Sequence, residues 1–373
     1  MSNPIYLILA VFLLAIVVAW LIYYPVVHYA KRHNIYDNPD ARKLQRVPIP
    51  VLGGVVVFAG TLAATCTACI FYNCSALVPV GIAMLLMLVV GTWDDIKNLT
   101  PQFRLLVEVI VCVALIFVNG YSINDLHGLW GIDTLSPWIA YPLTVLTMVG
   151  IINAINLIDG IDGLSSGICI MACGLYGVEL FYSHDYVQAV LAMAACGALI
   201  PFFIHNVFGE RSKMFIGDGG TLMMGVLLAH FVVSILDHNS LCTEWHPEGS
   251  DFGMVPFTLA VLIIPVGDTL RVMLMRLMCG HSPFVADKTH LHHAFINYGF
   301  HHLETSLMEI LLNVGVVGMW WVMYKSHLNQ DWQLYVVMAA GVAIVCGLYY
   351  MLGRKDRIAK KIEAENQKRE DAQ

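Results

Sequence analysis

Charge is what this chain has least of. Asp, Glu, Lys and Arg make up 13% of its 373 residues, against 58% apolar residues. A soluble domain carries about twice that share of charge. No Lys or Arg occurs between Thr134 and Arg211. Such a chain cannot clothe a water-facing surface. It reads as a polytopic membrane protein whose helices satisfy their own backbone polar groups. Basic excess is lacking too: the formal net charge is -7, which excludes nucleic acid as a partner. The ten cysteines form no framework. The lone CxxC, Cys66 and Cys69, has no His or Cys partners in its apolar span, so buried packing is expected there rather than a disulfide or zinc. No cleavage-site pattern follows the apolar run from Ile5 to Tyr24, so it is expected to be a spanning helix. Repeats, low-complexity stretches and a second domain are absent from the pattern.

What is there is a series of long hydrophobic runs. Using about 17–25 residues per helix, spans fall near 4–27, 53–72, 76–93, 104–120, 137–155, 164–182, 185–203, 219–236, 255–278, 306–324 and 332–352. The expected fold is an all-α, polytopic integral membrane protein of about 10–11 transmembrane helices. Residues 1–353 would form one transmembrane domain and 354–373 a charged tail. With the N-terminus outside, 19 of the 20 basic residues fall on inner loops, adjacent helix ends and the tail. The positive-inside rule therefore places the C-terminus in the cytoplasm.

Every dense polar motif then falls on the cytoplasmic side. Asn153, Asn156, Asp159 and Asp162 follow at steps of three directly after the apolar run from Tyr141 to Ile152. Neighbours three apart share a helix surface, so the first three are expected on one side of a helix end and Asp162 just past it. An Asp at the centre of a membrane helix costs roughly 2.5–3.5 kcal/mol. Two of them call for a cation or a polar cavity, although Asp-Gly also suits an ordinary cap and turn. Asp94 and Asp95 are adjacent carboxylates at a membrane edge. At 4 Å two unit charges interact by about 4 kcal/mol at an effective dielectric of 20. A divalent cation, a shared proton or a cap with Lys97 as partner would relieve that. Asp218, in Gly217-Asp218-Gly219-Gly220-Thr221, precedes a span where free N–H groups and a carboxylate suit magnesium-bound phosphate. In the first loop Lys43 could hold a phosphate, or simply serve topology. His290, His292 and His293 could bind a transition metal or donate to an anionic phosphate or sugar. The oxygen-rich surroundings favour magnesium over zinc. His281, His301 and His302 carry no motif and read as bystanders, and Asp268 with Arg271 reads as a helix-face pair. Glu108, Glu179 and Glu309 have no account from the sequence. Together these groups describe a magnesium-dependent phosphate site at the bilayer surface, where phosphoryl transfer needs positioning and charge neutralisation.

The set Asp94-Asp95, Asn153-x-x-Asn156-x-x-Asp159-Gly-x-Asp162-Gly163-Leu164, Gly217-Asp218-Gly-Gly-Thr and His290-x-His292-His293 resembles the polyprenyl-phosphate N-acetylhexosamine-1-phosphate transferases, relatives of the phospho-N-acetylmuramoyl-pentapeptide translocase. The similarity runs over roughly residues 30–300, with the motifs in order. It implies magnesium-dependent (Mg2+, with Mn2+ as a substitute) transfer of a sugar-1-phosphate from UDP-N-acetylhexosamine to undecaprenyl phosphate. UMP would be released, and the product would start cell-envelope polysaccharide synthesis at the bacterial inner membrane. Carried over, Asp218 would be a magnesium ligand. Asn156 and Asp159 would line the metal-diphosphate site, with Asn156 at the metal and Asp159 catalytic. Asp94 or Asp95 would engage the lipid phosphate, Asp94 as base. Lys43 and Asn153 would be substrate contacts, Asp162 would lie near the uridine, and His290, His292 and His293 would contact the donor's phosphate or sugar. The histidine region, with Ser282-Pro283-Phe284 and Asp287-Lys288, resembles the N-acetylglucosamine branch. Gln45 stands where the family has His, Ala286 where Pro is common, and Gly219-Gly220-Thr221 is a variant turn. Membrane lipid is a further expected partner, and a homodimer is allowed. The alternatives are the pentapeptide translocase and, from another class, a cation-coupled transporter.

Overall fold

A computed structural model describes residues 4–37, 47–239, 252–280, 282 and 289–370, with side chains as far as Gly353. Among the described residues the fold is almost wholly helical. In chain order the helices are α1 (Pro4–Arg32), α2 (Gly53–Ala68), α3 (Val78–Lys97), α4 (Pro101–Asn119), α5 (Pro137–Leu157), α6 (Leu164–Tyr182), α7 (Tyr186–Phe208), α8 (Gly217–Leu236), α9 (Met254–Val261), α10 (Ile263–Met278), α11 (Leu291–Tyr298), α12 (His302–Lys325) and α13 (Gln330–Glu370). Nine of the described helices are long and apolar enough to cross a membrane, and α9 with α10 makes a tenth, bent span. Each expected span thus has a helical counterpart, and the chain is an all-α polytopic membrane protein.

Two spans depart from expectation. Helix α2 has 16 residues, short of the roughly 20 that cross a hydrocarbon core. The run near 255–278 is broken, with α9 and α10 meeting at 76° around Leu262. Such a break leaves backbone groups without helical partners. The fully buried Asn313 of α12 supplies them: its Oδ1 accepts from Ile264 N at 3.1 Å, and its Nδ2 donates to Ala260 O at 3.2 Å and Val261 O at 2.9 Å. The expected burial of the CxxC is also overturned, because Cys66 and Cys69 are both exposed at the end of α2.

Helix α8 is the centre of the bundle. Each of its residues except Asp218 is buried, and it packs against α2, α3 and α5. At Gly91 of α3 a Cβ would stand 2.4 Å from Gly219 N. Glycine there lets the two helices touch backbone to backbone, as membrane helices do where van der Waals contact replaces a hydrophobic drive. The outer helices are apolar on both faces. On α1, Ala15, Ala19 and Tyr23 are buried while Leu9, Leu13, Val17 and Leu21 are exposed, as lipid contact requires.

Small sheet pieces close the two ends. Strands β1 (Tyr36–Asp37) and β2 (Ile49–Pro50) pair antiparallel. Val51 bridges to Phe215, and Gly53 N and Gly54 N donate to Phe215 O and Ile216 O, both at 2.9 Å. The end of the first loop is thereby stitched to the start of α8. Strands β3 (Asp125–Leu129) and β4 (Ile132–Thr134) form a hairpin that the hydropathy pattern did not indicate. Asp237, just past α8, accepts from Ser122 N at 2.9 Å and Asn124 Nδ2 at 3.1 Å on that side.

Candidate active site

The adjacent acids at the end of α3 part company. Successive helical residues point in different directions, and each carboxylate meets its own donors. Asp94 Oδ1 accepts from Leu99 N at 2.6 Å, where Asn98 turns the chain out of the helix, and Asp94 Oδ2 accepts from Arg104 Nη1 at 3.2 Å. Asp95 turns to the start of α8, accepting from Asp218 N at 3.0 Å and Gly219 N at 3.4 Å. A carboxylate on the free N–H groups of a helix start is favoured by both the orphan donors and the helix dipole. The relief of repulsion at this pair comes from Arg104 and backbone donors rather than from Lys97.

Arg104 is the hub of the site. Its Nη1 lies 3.6 Å from Asp218 Oδ2 as well as 3.2 Å from Asp94, and its Nε lies 3.6 Å from Glu108 Oε1. Glu108 is fully buried, and Asn153 Nδ2 donates to its Oε2 at 2.5 Å. Asn156 donates to Asp218 Oδ1 at 2.8 Å and to Thr221 Oγ1 at 2.9 Å. The two amides at the end of α5 therefore do different work. Asn153 holds the buried Glu108, and Asn156 touches the half-exposed Asp218.

Helix α5 ends at Leu157, so Asp159 lies beyond the helix, in the turn before α6, and not on the shared helix face expected from the spacing. Ser165 Oγ donates to its Oδ1 at 2.5 Å. The residue is exposed, at the rim where the helix ends crowd around its carboxyl. Loss of surrounding water pushes its pKa up to about 7, against the pull of the Ser165 hydrogen bond. Asp162 is tied from two sides: Lys213 Nζ donates to Oδ2 at 2.6 Å and His302 Nδ1 lies 2.9 Å from the same oxygen. Burial works to raise this carboxyl, but the hydrogen bonds and charges of His302 and Lys213 outweigh it and hold the pKa below the usual range. Ser306 Oγ also donates to Asp162 O at 2.7 Å. His302 is thus no bystander; it belongs to this cluster.

The histidine motif opens the short helix α11. His290 and His292 are buried and His293 is partly so. The rings of His290 and His292 lie nearly parallel, with centroids 5.7 Å apart, and His293 follows 4.4 Å from His292. Asp268 does more than pair along its own helix with Arg271: its Oδ2 takes His290 Nδ1 at 2.8 Å. His292 lies against the Asp159 turn, where a Cβ on Gly160 would fall 2.2 Å from its Nε2. Only a glycine admits the ring there. Burial holds the His292 pKa well below 6.5, and the neighbouring imidazoles His293 and His290 act in the same direction.

Asp94, Asp95, Asn153, Asn156 and Asp218 are thereby joined by contacts that run through Arg104, Glu108 and the Asp218 backbone. The turn that carries Asp159 and Asp162 follows Asn156 in the chain and meets the histidine helix where Gly160 abuts His292. Lys43 lies outside the described residues, as do Gln45, Asp287 and Lys288. The residues that the sequence did not single out for this end are Arg104, Glu108, Lys213, His302 and the His290 partner Asp268. Their signal was present only as positive-inside charge, as isolated intramembrane acid or, for His302, as a histidine without a motif.

The electrostatics suit a divalent cation. Asp94, Glu108 and Asp218 surround one arginine, with Asp95 on the Asp218 backbone N–H, so negative charge is in excess, and Asp218 is reachable, with 37% of its side chain exposed. Among the described residues no three His, Cys, Asp or Glu side chains converge as a metal cage. The accessible Asp218 beside Asn156 is a donor set of the kind that magnesium takes, since it is usually held by one or two carboxylates with waters and substrate phosphates completing the shell.

Comparison with known proteins gives a consistent picture. A protein-family model described as glycosyl transferase family 4 matches residues 77–236, from the start of α3 to the end of α8. The undecaprenyl-phosphate alpha-N-acetylglucosaminyl 1-phosphate transferase of Yersinia pestis is 30% identical over 351 residues, covering 88% of this chain and 87% of that protein. The protein of the same name from Escherichia coli (strain K12) is 29% identical over 319 residues, covering 83% and 82%. That of Pasteurella multocida (strain Pm70) is 28% identical over 345 residues, covering 89% and 90%.

Proposed function

This chain belongs to glycosyl transferase family 4 as a glycosyl-1-phosphate transferase of bacterial membranes, and from that premise we propose that it moves N-acetylglucosamine-1-phosphate from UDP-N-acetylglucosamine to undecaprenyl phosphate with release of UMP. A phosphate oxygen of the lipid attacks the sugar-linked phosphorus of the donor. The bond from that phosphorus to the bridging oxygen breaks, and UMP leaves with the electron pair. The observation that carries the reading is the acid surplus around Arg104, on which Asp94 and Asp218 converge beside Asn156.

Asp218 and Asn156 would hold magnesium, which when bound supplies charge neutralisation at the donor's diphosphate. Asp94 is the acid nearest to Arg104 and serves the lipid phosphate. Asp95 and Asp94 each already have both oxygens hydrogen-bonded, which favours direct attack by the lipid over a phosphorylated carboxylate. Asp159, whose pKa is raised to about 7, suits a proton acceptor near neutral pH. Asp162 and the partly exposed His293 face the donor side. By the positive-inside rule this end of the bundle lies in the cytoplasm, where UDP-sugars are dissolved, while the lipid enters laterally from the inner leaflet of the bacterial inner membrane.

The test is purified full-length protein given undecaprenyl phosphate and a panel of UDP-sugars, scored by UMP. UMP formation with UDP-N-acetylglucosamine, dependent on magnesium, is the expected result. Turnover only with the UDP-linked N-acetylmuramoyl-pentapeptide would make it a translocase of that kind. Sugar uptake into vesicles without UMP would make it a transporter.

A further inference from the structure

We propose that Asp268 is a positioning residue of this transfer, registering helix α11 and its histidines against the Asp159–Gly160 turn; the proposal rests on the function just given. Asp268 is 2% exposed on α10. A carboxylate buried in a membrane span persists only when paired and hydrogen-bonded. Both of its oxygens are occupied. Oδ1 accepts from Arg271 Nε at 3.2 Å and Nη2 at 2.7 Å, Oδ2 meets His290 Nδ1 at 2.8 Å, and Leu291 N donates to both oxygens at 3.2 and 3.1 Å. Arg271 completes the bracket. Its Nη2 donates to Thr289 O at 2.5 Å, and its Cζ lies 3.9 Å over the Tyr349 ring of α13. The first residues of α11 are therefore clamped to α10 by side chain and backbone together.

The direction of the clamp matters. The carboxylate only accepts, so His290 Nδ1 must donate, and the ring is held in one orientation. His290 is itself 4% exposed, which suits a bracket within the motif better than a ligand contact. One helical step on, His292 abuts Gly160, and the partly exposed His293 follows. A rigid line thus runs from Asp268 through His290 and α11 to the turn that carries Asp159. Without the clamp, α11 keeps its sequence but loses its register on that turn.

The experiment is a double-mutant cycle in the purified full-length protein with Asp268→Asn, His293→Ala and the pair. Carboxylates that orient metal-bound histidines typically matter about 10–100-fold, and an effect of that size is taken for this orienting pair. Asp268→Asn is expected to lower kcat/KM for the UDP-sugar in that range, chiefly through KM, with the KM for undecaprenyl phosphate unchanged. In the His293→Ala background most of that loss should vanish, because interacting residues are not additive. An undiminished loss in that background, or a fall in activity with both KM values unmoved, overturns the proposal. If thermal unfolding shows that Asp268→Asn does not fold, Asp268→Glu, which keeps the charge but displaces it, carries the same cycle. The same cycle is read in parallel on UDP-sugar Kd. A wild type that binds UDP-sugar but forms no UMP sinks the transfer reading, while the binding cycle still decides the role of Asp268.

Discussion

The backbone N–H of Asp218 donates to the carboxylate of Asp95 at 3.0 Å, joining two acids 123 positions apart. Asp95 thereby works as the cap of the central helix α8, and it sets where the carboxylate of Asp218 stands. Replacing a capping acid by Ala costs about 0.5–2 kcal/mol. Asp95→Ala should therefore lower both the thermal midpoint and kcat, and Asp95→Asn, which keeps one acceptor oxygen, should lie between it and wild type. Equal inactivation by both, with unmoved thermal midpoints, would show direct chemistry at Asp95 instead.

Asp218 is an accessible acid of the site, and Asn156 and Arg104 already address its two oxygens. Asp218→Asn should abolish UMP release at any practical magnesium concentration while leaving the helical circular-dichroism spectrum intact. Chelation of the wild type by EDTA should likewise stop turnover, and added magnesium should restore it. Full activity in EDTA would remove the metal from the mechanism.

Gly160→Ala would drive a methyl group into the ring of His292, 2.2 Å from its Nε2. Overpacking of this kind typically costs about 1–3 kcal/mol, here at the contact between two motifs. A loss of at least tenfold in kcat/KM is the expected outcome. Gly150→Ala on α5, where a Cβ meets nothing within 4 Å, is the control and should keep its activity. Matching behaviour of the two variants would mean that the turn and α11 are not in register.

Burial keeps the His292 pKa well below 6.5. The folded protein therefore refuses a proton that the unfolded chain accepts below 6.5. Stability contributed by the neutral ring is complete above that value and falls as the pH drops through it, by at most about 1.4 kcal/mol per pH unit for one group. Thermal midpoints from pH 7 to pH 5 should decline less steeply in His292→Gln than in the wild type. Parallel declines would locate the sensitivity elsewhere.

Much of the fold was legible because membrane spanning is a composition problem. A run of apolar residues long enough to cross lipid must become a helix, so the spans could be placed from hydropathy alone. The break at Leu262 could not, since it survives only because Asn313, 49 positions from Ile264, mends the backbone there. The hairpin of β3 and β4 likewise depends on Asp237 at the far end of α8. In the site, motif residues stood out by density, whereas Lys213 and His302 did not. They reach Asp162 across 51 and 140 positions, and each is unremarked among its sequence neighbours.

By itself the chain's order of residues determined that this is a bundle of membrane helices, and which acids, amides and imidazoles are the candidates for its chemistry. Both follow from the cost of polar groups in lipid: length and charge dictate the spans, and an acid kept near the membrane must have a use. Packing alone decided how those groups divide the work. Asp94 went to Arg104 and Asp95 to the start of α8, Asn153 to Glu108 and Asn156 to Asp218, because neighbours on a helix point in different directions and meet whatever the folded chain has brought to each side.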